Sequence, residues 1–198
     1  MIWEDDVQVR QHGCSCLPSS PAPTVGPCNQ RCYFCIGGQL SAGLSPSNLR
    51  LWPLRNLDAF IARMHETGTR KLILTGTTTD PQLYKHEARL VAVMRAQIPG
   101  IHIALHTNGL LLLRKLGVAR GYDSITVSLN SFDQATYTAI HGTRSMPDLA
   151  AIMAALSVPL KLSCVLTKEN AMQVSANTSE RVSRRCRRKH VLTYANAS

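Results

Sequence analysis

At 198 residues, 44% of them hydrophobic, the chain can bury the core of one domain, and its length gives one to two as the expectation. No run of about 18 apolar residues is present, so no membrane helix is expected. The net charge of +10 suggests nucleic acid, but Arg181, Arg184, Arg185, Arg187, Arg188 and Lys189 supply six of those charges from one short stretch, so no basic face on the folded part is implied.

Residues 1–23 read as an irregular segment broken by Pro18, Pro21 and Pro23. The start has no basic stretch leading into an apolar one, so it does not read as a secretory signal. Seven cysteines is an odd count without the even spread of a disulfide framework. Together these favour a reducing, cytoplasmic setting, where clustered thiols more often bind metal.

After a short strand stub at Thr24–Gly26 comes Cys28-Asn29-Gln30-Arg31-Cys32-Tyr33-Phe34-Cys35. This C-x3-C-x2-C spacing lets three thiolates converge on one metal centre and leave part of it free. Thiolates are the preferred ligands of iron–sulfur clusters, and four usually complete one. With three, a fourth iron site stays open for a small molecule. Two other readings of the triad remain: a zinc site recruiting Cys14, Cys16 or a histidine, and an incidental buried cysteine cluster.

A repeating pattern follows. Pro53–Thr67 places Leu54, Leu57, Phe60, Ile61 and Met64 on one helical face, and Gly68 ends it. Lys71–Thr75 is a buried strand. Asp80-Pro81 caps a helix carrying Leu83, Leu90, Val91, Met94 and Ile98. Ile101–Leu105 is a strand, Leu110–Leu116 a short helix, and Ser124–Leu129 a strand. Asp133 caps a helix through Ile140. Ser145-x-x-Asp148 resembles a capping box opening a helix with Leu149, Ile152, Met153 and Leu156. Leu160–Leu166 is the last clear strand. Strands alternating with helices predict an α/β fold of parallel βα units, curled by right-handed crossovers into an open, partial barrel. Functional groups in such folds gather at the carboxyl ends of the strands. The core domain is thus expected over residues 24–174, followed by a basic disordered tail over 175–198.

The segments GPCNQRCYFC, LILTGTTTDP, IALHTNG, ITVSLNSFDQATYTAIHG and LKLSCVLTKEN occur in that order. Together they resemble the radical S-adenosylmethionine (SAM) superfamily, nearest the branch holding the pyranopterin synthase and the peptide-modifying enzymes. The resemblance covers about residues 24–173. It implies a 4Fe–4S cluster held by Cys28, Cys32 and Cys35, with SAM on the fourth iron. One electron from the cluster then cleaves SAM to methionine and a 5′-deoxyadenosyl radical, which abstracts hydrogen from a substrate. It also implies that Phe34 flanks the adenine and that the Gly76-Thr77 segment meets the SAM ammonium. Thr107, Ser128 and Asn130 would contact the SAM carboxylate or ribose, and Lys161 would pair with the carboxylate. The acidic residue usual in the family's Gly-Gly-Glu-Pro type segment is missing from Gly76-Thr77-Thr78. The implied partners are a small-molecule, peptide or RNA substrate and an electron donor such as flavodoxin or ferredoxin. Weak, non-specific nucleic-acid binding belongs to the tail alone. The synthase's second, C-terminal cysteine cluster has no counterpart, so that exact activity is not expected. Two further readings stay open: a truncated inactive relative, and a non-catalytic zinc or nucleic-acid-binding module. His102 and His106 read as structural or solvated, and Cys164 as a small core residue.

Overall fold

The structure is a computed structural model that describes residues 24–35, 37 and 47–173, with the backbone of a strand at 191–194. Five parallel strands run in sequence order: β1 Lys71–Leu74, β2 His102–Thr107, β3 Ser124–Ser128, β4 Leu160–Val165 and β5 Val191–Tyr194. The main helices are α1 Leu57–Thr67, α2 Glu87–Gln97, α3 Leu116–Ala119, α4 Gln134–His141 and α5 Leu149–Ala155. The sheet is unclosed, as an α/β partial barrel requires.

Several expected boundaries move, each for a local reason. The stub at Thr24–Gly26 shrinks to one bridge between Thr24 and Gly76, because Pro27 has no N–H with which to continue a ladder. Leu83 falls in a 3-10 turn, Pro81–Leu83, ahead of α2. The stretch after Asn108-Gly109 splits into a 3-10 turn, Leu113–Lys115, and α3. Ser145 does not cap α5; the Asp148 carboxylate accepts from the Ala151 N–H at 3.0 Å instead. Pro147 disfavours helical geometry at Met146, so the helix starts beyond it. Most of the expected basic tail lies outside the described residues. Val191–Tyr194 corrects it in part, because this segment pairs with β4 from Leu162↔Val191 to Val165↔Tyr194.

Paired residues in the parallel ladder share a face. Leu72 and Leu74, Ile103 and Leu105, Ile125 and Val127, and Leu160 and Leu162 line one face and join the hydrophobic core with Leu57, Ile61 and Met64 of α1, Leu90, Val91 and Met94 of α2, and Ile152 of α5. Each fully buried Ile or Leu there contributes about 1.5–3 kcal/mol. The opposite face carries His102, His106, Ser124, Thr126, Ser128, Lys161 and Ser163, none of which joins that core. One face therefore builds the core, while the other is mainly polar, with Ile73, Ala104 and Val165 among its residues.

Candidate cofactor site

The cysteine loop is bolted across the carboxyl edge of the sheet at four places. After β1, the Thr78 hydroxyl accepts from the Gly26 N–H at 3.0 Å and donates to the Gly26 carbonyl at 3.1 Å. The Thr79 hydroxyl donates to the Pro27 carbonyl at 2.8 Å. After β2, the Asn108 amide donates to Asn29 Oδ1 at 2.7 Å. At the end of α4, the Arg31 N–H donates to the His141 carbonyl at 2.9 Å. After β4, the Tyr33 hydroxyl donates to Glu169 at 2.6 Å. Gly142 permits the third of these contacts. It sits at φ 62°, and a Cβ there would stand 2.9 Å from the Arg31 carbonyl oxygen. Only glycine meets both demands without strain.

Cys28 is exposed, Cys32 and Cys35 are half-buried, and all three are free thiols. Among the described residues no three Cys, His, Asp or Glu side chains converge tightly enough to hold a single ion. Burial first, then the neighbouring Cys35 and Cys28, push the Cys32 thiol up to about 12. Metal binding requires the thiolate and releases that proton. Three thiols carried on one loop are the donor type that iron–sulfur centres prefer.

Beneath the loop lies a buried polar cluster. His141 is 1% exposed and stacks on Tyr137 with ring centroids 4.1 Å apart. Its Nδ1 lies 3.2 Å from Cys32 Sγ and 3.1 Å from Gln30 Oε1. Gln30 Nε2 in turn donates to the Tyr137 hydroxyl at 2.5 Å. Among the described residues His141 Nε2 and Asn130 Nδ2 are buried without a hydrogen-bond partner, as are Gln82 Nε2 and Thr167 Oγ1 elsewhere. Buried polar atoms left unpaired are uncommon.

The residues expected to meet SAM divide into two groups. Gly76, Thr77 and Thr107 make contacts within the fold. A Cβ on Gly76 would lie 1.9 Å from the Thr79 carbonyl, so its own turn fills that space. The Thr77 N–H donates to the Thr24 carbonyl at 3.1 Å. Thr107 is buried on the core face and donates to the Asp80 carboxylate, 2.8 Å from Oδ2. Asp80 also accepts from the Asn108 N–H at 2.7 Å and the Gln82 N–H at 2.9 Å. Burial raises its pKa despite these bonds. The loop after β1 thus contains an acid, turned inward rather than toward a ligand.

The second group lies on the polar face of the sheet, at the end of β3, or beside His141. Ser128 is exposed at the end of β3, and Lys161 lies on the same polar face, level with Thr126. Asn130 Oδ1 accepts from the Val165 N–H at 2.9 Å, which leaves its Nδ2 unpartnered. Phe34 packs edge-on against His141, with centroids 6.4 Å apart. His102 bonds the Ser124 hydroxyl at 3.2 Å, and Cys164 is half-buried on the core face. Sequence reasoning missed Asn29, Gln30, Asn108, Tyr137 and His141. The available signal was a histidine sharing a helical face with Tyr137 and Ile140 at the i, i+3, i+4 spacing.

A thiol-bearing loop lying over the carboxyl edge of an unclosed parallel sheet defines a cofactor-binding α/β protein of the partial-barrel class. The family model of the Radical SAM superfamily matches residues 23–159, and the chain belongs to that superfamily. Its members are enzymes whose cofactors are a 4Fe–4S cluster and SAM. The chain is 32% identical over 188 residues to the GTP 3',8-cyclase of Mycolicibacterium smegmatis, covering 79% of this chain and 50% of that one. It is 35% identical over 152 residues to the GTP 3',8-cyclase of Synechococcus elongatus, covering 73% and 43%. The chain therefore spans about half the length of these curated relatives or less. In fold it is similar to Streptococcus suis SuiB bound to S-adenosylmethionine, with TM-score 0.60, 15% identity, and coverage of 97% of this chain and 44% of that one. It is also similar to TYW1 with a lysine-pyruvate adduct bound, with TM-score 0.56, 13% identity, and coverage of 89% and 64%. No helix among the described residues is long and apolar enough to cross a membrane.

Proposed function

We propose that this chain is the radical-generating core of a radical SAM enzyme, with Cys28, Cys32 and Cys35 holding three irons of a 4Fe–4S cluster. When bound, the cluster supplies the electron that cleaves SAM to methionine and a 5′-deoxyadenosyl radical for hydrogen abstraction. The observation that carries this reading is the placement of all three thiols across the carboxyl edge of the sheet. Lys161, Ser128 and the Asn130 amide N–H are the groups we assign to the SAM carboxylate and ribose. Phe34 offers an aromatic edge to the adenine. Gly76, Thr77 and Thr107 act by fixing the loop.

The substrate assigned for the first test is GTP, because the relatives are named for acting on it. A low-potential donor of the ferredoxin or flavodoxin class would supply the electron. The test is formation of 5′-deoxyadenosine by the anaerobically reconstituted, reduced chain, with and without GTP. Product above a Cys32→Ala control supports the reading. Full iron loading with no product selects a truncated, inactive relative instead. Lys161→Ala is expected to weaken SAM binding by about 1–3 kcal/mol through loss of a charge-assisted hydrogen bond.

A further inference from the structure

The pair formed by Cys32 and His141 has a consequence beyond holding the loop. We propose that the His141 imidazole donates its Nδ1–H to the Cys32 sulfur and thereby raises the reduction potential of the cluster that Cys32 helps to bind. This rests on the cluster reading given above.

The proton's position follows from its neighbours. Gln30 spends its amide N–H on the Tyr137 hydroxyl, which turns its carbonyl oxygen toward His141 Nδ1. As an iron ligand, Cys32 is a thiolate and has no proton to give. Both groups facing Nδ1, at 3.1 and 3.2 Å, are then acceptors. The ring must carry its hydrogen on Nδ1, where it is shared between the two. That leaves Nε2 as an unprotonated ring nitrogen, buried and without a partner. A charged imidazolium would bury a second N–H there with nothing to receive it. Stacking on Tyr137 fixes the ring plane, and the Gly142 cap fixes the helix end that carries it.

The sign of the effect follows from charge. One electron from an external reductant enters the cluster, and no bond or proton changes place. The added negative charge is spread over the irons and their sulfur ligands. A donor aimed at one of those sulfurs stabilises the reduced form more than the oxidised form, and hydrogen bonds to sulfur are among the determinants of cluster potential. His141 is therefore a positioning and tuning residue, acting through Cys32.

The experiment is an electrochemical titration, followed by EPR, of the anaerobically reconstituted full chain and its variants, with iron counted in each. His141→Phe keeps a ring to stack on Tyr137 and removes the donor. Its ratio of reduced to oxidised cluster at fixed potential is expected to fall about tenfold, a midpoint about 59 mV lower for one electron. Gln30→Met removes the competing acceptor, so the proton goes wholly to sulfur and the midpoint is expected to rise. His141→Gln returns an N–H and recovers part of the loss. An unchanged midpoint in His141→Phe at full iron load overturns the inference, as does a shift of the same sign in both variants. If His141→Phe does not load iron, Gln30→Met decides alone, and a midpoint that fails to rise overturns it. A wild-type chain that takes up no iron removes the cluster reading itself, and this inference with it.

Discussion

Two buried polar networks in this molecule differ in completeness. At the start of α2, Glu87 is 3% exposed, and both its oxygens are taken: Lys115 donates to one at 2.7 Å and the Tyr122 hydroxyl to the other at 2.8 Å. At the end of α4, His141 is also buried, yet among the described residues one ring nitrogen has no partner and the other faces a thiol. The closed arrangement around the Glu87 carboxylate rigidifies its surroundings, although the neighbouring Gln82, whose carbonyl Lys115 also meets, keeps a buried Nε2 without a partner among the described residues. An open one beside three free thiols is arranged for something the polypeptide does not itself supply. The same division separates the sheet's two faces, one packed with Ile, Leu and Val, the other mainly polar.

The sharpest way to break this contrast is to open the closed network. Glu87→Gln removes the charge facing Lys115 and is expected to cost about 3 kcal/mol, the order found when one partner of a buried pair is lost. The urea midpoint should fall with an unchanged slope, while iron per folded chain stays the same. Lost iron at unchanged stability would show that Glu87 belongs to the site.

Gly142→Ala sharpens the contrast from the other side. A non-glycine residue at this φ costs about 1–2 kcal/mol, and the methyl would press on the Arg31 carbonyl. Because that contact seats the cysteine loop, iron loading should fall more than stability does. Equal losses in both would mean that the loop is not positioned by α4.

The smallest effect lies far from both networks. The Asp123 carboxylate accepts from the Ile103 N–H at 2.7 Å and from Arg95 at 3.0 Å. Burial works to raise its pKa, but the Ile103 N–H and Arg95 outweigh it, and the folded value lies below 3.8. Its stabilisation is therefore present above the unfolded value and is lost as pH falls through the folded one. Asp123→Asn should cost less than about 1 kcal/mol at neutral pH, since the pair is partly exposed. The difference from wild type should vanish in strong acid, with iron binding unaffected throughout.

The alternation of apolar strands and amphipathic helices was legible because it is local: Lys71–Leu74 and Leu57–Thr67 announce themselves within a few residues. The cysteine triad was legible for the same reason. What a linear reading could not supply was side-chain pairing across the fold. Asn108 meets Asn29 from 79 positions away, and His141 meets Gln30 from 111. Asp80 read as a cap, which it is, but its reach to Thr107 depends on how two strand ends sit side by side. Thr107 was therefore expected at the ligand when it is turned into the core. The short apolar run His190–Ala195 could be seen as a candidate strand, but the basic run before it favoured a tail, and its pairing with β4 is long-range.

The most direct test of the central claim counts iron, acid-labile sulfide and zinc in the anaerobically reconstituted full chain and in Cys32→Ala. The account predicts about four irons per wild-type chain and loss of that iron in the variant. One zinc per chain, or iron retained when Cys32 is removed, would contradict it.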